Sequence, residues 1–261
     1  MDKNDRARLY IYAENGGDNE KAAKTATHLN AEIIADESFP ADNDLVLRYG
    51  ENGLMLTCGG NAVMGDFTHM IRRIKPPNLS GELLVRAARF KNTDRPLTAV
   101  DATAGLGEDS LLLAAAGFKV TLFEYDPLIA ALLFDAMERA MKIPELQKAV
   151  SNMTLFEENS IEKMPLLSPP DLIYLDPMFP DNGKSALSKK KFQILHRFKP
   201  PCIDGDALVA AAMKCSPCKI IIKRPIKGAY LANMKPSFSL SGKAVRYDCL
   251  VFPQNYAAKK P

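Results

Sequence analysis

From Leu97 to Phe252 the chain alternates short apolar runs with helix-length segments, and this alternation constrains the fold more than any other feature. "LTAVDA", "KVTLFE", "MTLFEE", "DLIYLD" and "KIIIKRP" read as buried strands. "GEDSLLLAAAG", "DPLIAALLFDAMERAMK" and "ALVAAAMKC" read as helices between them. Gly117 closes the first helix; Asp126 caps the second, with Pro127 at its first position. "SFSLSGKAVRYDCLVF" reads as a terminal hairpin turned at Ser241-Gly242. Strands joined through helices require right-handed crossovers and a mainly parallel sheet. The expected fold is α/β and Rossmann-like: a seven-stranded sheet, its first five strands in the order 3-2-1-4-5, ending in an antiparallel hairpin. Ligands then belong at the carboxyl ends of the strands.

The residues before this region read differently. "RLYIYA" is an expected strand, "NEKAAKTATHLNA" a helix and "EIIA" a short strand. "DLVLRYG" and "GLMLTC" flank Glu51-Asn52 as a hairpin. We expect residues 1–70 to form a small α/β subdomain and residues 71–261 the main domain. Between the two regular regions, Pro76-Pro77 interrupts a basic segment, and Ser80 is the expected N-cap of a helix over "SGELLVRAARF".

Composition sets outer limits. Hydrophobic residues at 47% and charged residues at 25% suit a globular chain. No apolar run approaches the roughly 20 residues a membrane helix needs, and "MDKNDRARLYIY" has no signal pattern. The expectation is a cytoplasmic protein without membrane association. Five cysteines at irregular spacing fit reduced thiols. The Cys215-x-x-Cys218 pair reads as a turn at Pro217 leading into a strand, with a redox or zinc site the alternative; no metal is expected. His28, His69 and His196 are scattered and receive no role. A net charge of +3 does not by itself indicate nucleic acid.

The strand ends carry the chemistry. In "VDATAGLGEDS", Gly105 and Gly107 lie between a strand and a helix, where glycine permits a tight turn and close approach of a ligand. Asp101 ends that strand and Glu124 ends the next, placed to accept the ribose hydroxyls of a nucleoside cofactor. Ser110 stands where a dinucleotide fingerprint wants a third Gly or Ala. Glu108 and Asp109 at the helix start would repel a pyrophosphate. They suit a phosphate-free nucleoside with a positive centre, so the reading moves from NAD to S-adenosylmethionine.

"YLDPMFPDNGKSALSKKKF" follows the fourth strand. Asp176, Pro177 and Phe179 form a loop like the Asp/Asn-Pro-Pro-aromatic loop of enzymes that methylate exocyclic amines of bases. An aromatic amine is a weak nucleophile because its lone pair is delocalised. Asp176, or a backbone carbonyl of the loop, can accept an amine N–H and orient it, prolines can stiffen the loop, and Phe179 can stack on the base. Lys184, Lys189, Lys190 and Lys191 come next in the chain, where they can neutralise RNA phosphates. Arg72 and Arg73, with Lys75, form a second basic group, and Arg86, Arg89 and Lys91 a third. Lys223 and Arg224 end another strand and are expected to face the same cleft.

On "VDATAGLGEDSLLLAAAGFKV", "EYDPLIAALL", "YLDPMFP", "KSALSKK" and "KRP", the chain resembles the ribosomal RNA small-subunit methyltransferase J family. The resemblance implies a class I methyltransferase fold, S-adenosylmethionine as donor, and guanine N2 of 16S rRNA in the 30S ribosomal subunit as acceptor. It places cofactor contacts at Glu108 and Asp109, Glu124 and Tyr125, Asn159 and Ser160, and Asp176. The family usually carries Arg at the positions of Glu108 and Tyr125, and Ser at that of Asn159. Competing readings are an adenine-N6 or other amine methyltransferase, a non-catalytic RNA-binding module, and an NAD oxidoreductase.

Overall fold

The computed structural model describes residues 7–36, 41, 44–91, 93, 95–177 and 204–257. In chain order the first elements are β1 (Leu9–Ala13), α1 (Asn19–Leu29), β2 (Glu32–Ile34), β3 (Leu45–Gly50), β4 (Gly53–Cys58) and β5 (Asn61–Met64). Three short helices follow, α2 (Ile71–Ile74), α3 (Pro76–Leu79) and α4 (Leu83–Ala88). Then come β6 (Leu97–Asp101), α5 (Glu108–Ala115), β7 (Phe118–Phe123), α6 (Pro127–Ala140), α7 (Pro144–Val150), β8 (Met153–Phe156) and α8 (Ser160–Lys163). The described chain closes with β9 (Leu172–Leu175), α9 (Gly205–Lys214), β10 (Lys219–Pro225), β11 (Phe238–Ser241), β12 (Val245–Val251) and α10 (Pro253–Ala257).

The described residues form two compact units, one of those up to residue 66 together with 126–139, the other of those in 67–125, 140–177 and 204–257. The first holds a five-stranded sheet of order β2-β1-β3-β4-β5, with β2, β1 and β3 parallel and the rest antiparallel. β5 was not expected: "NAVM" is short and follows Gly59-Gly60, which reads as the end of a hairpin rather than a second turn. Helix α6 also belongs to this unit. Its start follows the capping chemistry, since Asp126 Oδ1 accepts the Leu128 and Ile129 N–H groups at 2.9 and 3.2 Å. Asp135 of α6 accepts the Leu54 N–H at 3.0 Å and Arg139 Nε at 2.7 Å, and Arg139 also reaches the Gly65 carbonyl. Gly53 has φ +110, and a Cβ there would lie 2.3 Å from Arg139 Nε, so only glycine fits this turn.

The second unit is a seven-stranded sheet of order β11-β12-β10-β9-β6-β7-β8. Strands β6 to β10 are parallel to their neighbours in the 3-2-1-4-5 order; β12 runs antiparallel and pairs with β11 in the terminal hairpin. Side chains alternate between faces. Val100, Ile173, Leu175, Ile220 and Ile222 form a buried core with Leu208, Val209 and Ala212 of α9. The other face meets α4 and α5. There Lys219 donates to the Ala87 and Arg89 carbonyls, both at 2.8 Å, at the carboxyl end of α4.

Two expectations are corrected here. Ser80 does not cap α4; Glu82 holds that position without a side-chain cap bond. Pro76 opens the separate turn α3, which moves Ser80 to the end of that turn, where its hydroxyl donates to the Pro77 carbonyl at 3.1 Å. Lys223 and Arg224 do not share a cleft. As successive strand residues they point to opposite faces, and buried Arg224 donates through Nε to the Ala229 carbonyl at 2.9 Å. Ser216 at φ +49 leads through Pro217 into β10; Cys215 and Cys218 are buried, and among the described residues neither is in a disulfide and no metal-holding cluster occurs.

Candidate active site

Three strand ends meet at one edge of the parallel sheet. Asp101 is the last residue of β6, Glu124 follows β7 and Asp176 follows β9. Strand parity sends Asp101, Tyr174, Asp176 and Lys223 toward the α5 face, opposite the α9 core.

Asp101 is 1% exposed. Its carboxylate accepts the Thr103 N–H at 3.0 Å and the Ser110 hydroxyl at 2.5 Å, so it braces the glycine turn from within. Burial raises its pKa to about 7, against the opposing pull of those two hydrogen bonds; Asp109 and Asp176 push it further up. Ser110 thus has a structural reason to stand in the fingerprint's third position.

The glycine turn is open. Gly105 has φ +54, and a Cβ there would meet nothing within 4 Å. Its N–H donates to Glu124 Oε2 at 2.9 Å, which fixes the half-buried carboxylate against the turn. Gly107, at φ +79, caps α5. Tyr125 beside Glu124 is 55% exposed. Phe156 stacks on Phe123 at 5.8 Å between ring centroids, and its carbonyl accepts the Glu124 N–H at 3.1 Å.

The acidic start of α5 is not left unpaired. Asp109 Oδ2 accepts the Tyr174 hydroxyl at 2.6 Å and the Lys223 ammonium at 2.8 Å. Glu108 faces the His69 imidazole at 3.4 Å. Lys223 lies 2.9 Å from Asp176 Oδ2 as well. The Asp176 N–H donates to Thr103 Oγ1 at 2.7 Å, so the loop after β9 is tied to the glycine turn. Burial pushes the Asp176 carboxyl up from its ordinary range while Lys223 pulls it down. Tyr174 is raised well above the usual phenol range by burial and by the carboxylates around it.

Other expected residues fall elsewhere in the geometry. Asn159 caps α8, accepting the Ile161 N–H at 3.0 Å and donating to Glu162 at 3.2 Å, and Ser160 behind it is buried. Arg73 makes a two-pronged pair with Glu82 at 2.8 and 2.9 Å, whereas Arg72 is exposed. Pro177 is described; Phe179, Lys184, Lys189, Lys190 and Lys191 lie outside the described residues. The pairing of Lys223 with Asp109 and Asp176, and the Tyr174 hydroxyl beside them, lie outside what the sequence pattern predicts. A lysine and a tyrosine inside otherwise apolar strands were the available signal.

The donor set fits a nucleoside with hydroxyls and a positive centre: an open glycine turn, a fixed carboxylate at Glu124, and carboxylates rather than cations at the start of α5. The family model "Putative SAM-dependent methyltransferase" matches residues 38–252. The chain is 35% identical over 260 residues to "Ribosomal RNA small subunit methyltransferase J" of Pseudomonas aeruginosa (strain LESB58), covering 97% of each chain. The chain belongs to the ribosomal RNA small subunit methyltransferase J family. The Neisseria meningitidis member is 34% identical over 237 residues, covering 88% of this chain and 94% of its own. A solved SAM-dependent methyltransferase of Neisseria gonorrhoeae is 28% identical, with a TM-score of 0.72 over 93% of this chain and 95% of that one. The protein is therefore an S-adenosylmethionine-dependent methyltransferase with the Rossmann-like fold expected of it. Family membership removes the NAD oxidoreductase and the non-catalytic module as readings.

Proposed function

We propose that this member of the methyltransferase J family methylates the exocyclic N2 of a guanosine in 16S rRNA, on the 30S ribosomal subunit, in the cytoplasm. Support for an RNA of the small subunit comes from the names of relatives such as those of P. aeruginosa and N. meningitidis. No helix among the described residues is long and apolar enough to cross a membrane.

The observation that carries the amine reading is Asp176. Its side chain is 34% exposed at the edge of the sheet, and its backbone is tied to the glycine turn through Thr103. S-adenosylmethionine, when bound, would supply an activated methyl group, with the electron pair of the broken C–S bond staying on its sulfur. Asp176 accepts an amine N–H, turns the nitrogen lone pair toward the incoming methyl, and takes the proton that the methylated nitrogen releases. Positioning of this kind supplies much of the rate. Glu124 receives the ribose hydroxyls, and the turn at Gly105 and Gly107 lets the cofactor approach the backbone. Asn159, Ser160 and Tyr125 are assigned to the nucleoside side of the site. Pro177 stiffens the loop. Base stacking by Phe179 and phosphate binding by Lys184, Lys189, Lys190 and Lys191 rest on sequence alone.

The test is incubation of purified protein with unmethylated 30S subunits and isotopically labelled donor, followed by mass spectrometry of the rRNA nucleosides. Label in N2-methylguanosine is the expected result. Label in N6-methyladenosine instead would move the substrate to adenine, and an unlabelled 16S rRNA would overturn the proposal.

A further inference from the structure

Lys223 has two carboxylates to serve. It stands near the carboxyl end of β10, with its ammonium 2.8 Å from Asp109 Oδ2 and 2.9 Å from Asp176 Oδ2. Asp109 belongs to the first turn of α5, directly after the glycine turn, and Asp176 begins the loop after β9. One cation therefore joins the cofactor side of the site to its acceptor side. Tyr174 fixes the partner, since its hydroxyl donates to the same Asp109 oxygen at 2.6 Å. Among the described residues, Asp176 Oδ1 has no hydrogen-bond partner.

Charge makes this arrangement necessary. Asp101, Asp109 and Asp176 repel one another at a partly desolvated sheet edge. Carboxylates so placed tend to retain a proton unless a cation lies between them. A protonated Asp176 would lose its power to take an amine proton and would present a donor as well as an acceptor. Lys223 is the cation that both Asp109 and Asp176 contact; burial lowers its pKa, but those two carboxylates outweigh that and hold it above the usual lysine range.

We propose that Lys223 is a positioning residue for methyl transfer: it holds Asp176 as a carboxylate by its Oδ2, leaving Oδ1 as the acceptor offered to the substrate amine. The inference rests on the amine-methylation reading above and deepens it. Lys223 touches neither substrate nor reacting atoms; it acts through Asp176.

The experiment uses the full chain and the variants Lys223→Met, Lys223→Arg and Asp109→Asn. The first readout needs neither cofactor nor RNA. In protein labelled at aspartate 13Cγ, the Asp176 signal is assigned by its loss in Asp176→Asn and followed against pH. Its midpoint should move to higher pH in Lys223→Met and return toward wild type in Lys223→Arg. In Asp109→Asn it should move to lower pH, because a like charge is gone and Lys223 serves Asp176 alone; Lys223→Gln, which removes the charge and keeps a polar side chain, takes the place of Lys223→Met if that variant does not fold. The second readout is turnover on 30S subunits. Lys223→Met should lose roughly 10- to 100-fold in kcat, with its acid limb at higher pH and KM for the subunits nearly unchanged. An Asp176 midpoint that stays put in Lys223→Met, or that fails to fall in Asp109→Asn, overturns the inference. So does wild-type kcat in Lys223→Met. A wild-type protein that leaves 30S rRNA unmethylated defeats the functional reading instead, and the carboxylate titration still judges Lys223.

Discussion

Strand β9 is flanked by an aspartate at each end, and the two are used in opposite ways. Asp171, just before the strand, has a side chain only 1% exposed. Its oxygens accept both prongs of the Arg95 guanidinium at 2.9 and 2.5 Å, the Thr98 N–H at 2.9 Å and the Thr98 hydroxyl at 3.2 Å. Its own backbone carbonyl accepts the N–H groups of Cys218 and Lys219. The carboxylate latches β9 to β6, and the backbone carbonyl latches it to β10, at their amino ends. Asp176, five positions on, keeps a third of its side chain in solvent and one oxygen without a partner among the described residues. A charge whose hydrogen bonds are satisfied within the fold holds strands together. A charge with an open valence at the carboxyl edge is available to a ligand.

The sharpest way to break the contrast is to remove each aspartate in turn. Asp171→Ala should cost about 3 kcal/mol of stability, the low end for breaking a buried pair, because Arg95 is 36% exposed and regains water. Chemical denaturation measures this, and turnover per folded molecule should stay near wild type. Asp176→Ala should do the reverse. It should lower the rate on 30S subunits by about 10²-fold with a melting temperature close to wild type. If Asp171→Ala is as stable as wild type, or a folded Asp176→Ala turns over normally, the division of labour along β9 is wrong.

Glu124 tests whether the contrast extends to β7. It is anchored to Gly105 through Oε2 yet remains half-buried. Glu124→Ala should weaken S-adenosylhomocysteine binding by about 1–3 kcal/mol, the loss of charge-assisted contacts to the ribose. Calorimetry reads this directly, and an unchanged affinity would take Glu124 out of the cofactor site.

Much of this was legible in the chain and some was not, for physical reasons. The order of the parallel strands follows from alternation and crossover handedness, and the α6 start from Asp126-Pro127, because both are local or topological rules. Ser80 misled because a capping residue has no meaning until the first helical turn is located, and Pro76 placed a turn earlier than expected. The opposite facing of Lys223 and Arg224 follows from a period of two and could have been read. The Asp109 network could not. Its partners lie 65 and 114 positions from Asp109, at Tyr174 and Lys223, and only the sheet order brings them together.

The smallest test compares neighbours on α2. Arg73 is held by both oxygens of Glu82, and that pairing raises its pKa above the usual guanidinium range. Arg72 is exposed, and its guanidinium has no partner among the described residues. By the rule drawn from β9, Arg73 braces the segment between α2 and α4, and Arg72 is the one free to meet an RNA phosphate. Arg73→Ala should cost no more than about 1 kcal/mol of stability, since the pair is partly in water, and should leave the salt dependence of rRNA binding as it was. Arg72→Ala should leave stability alone. It should flatten the slope of log affinity against log salt by about 0.7–0.9, the value for one lost phosphate contact. Binding measured across a salt series separates the two. Equal slopes for Arg72→Ala and wild type would place the RNA path away from α2, and a flattened slope for Arg73→Ala would show that Glu82 releases its partner when RNA arrives.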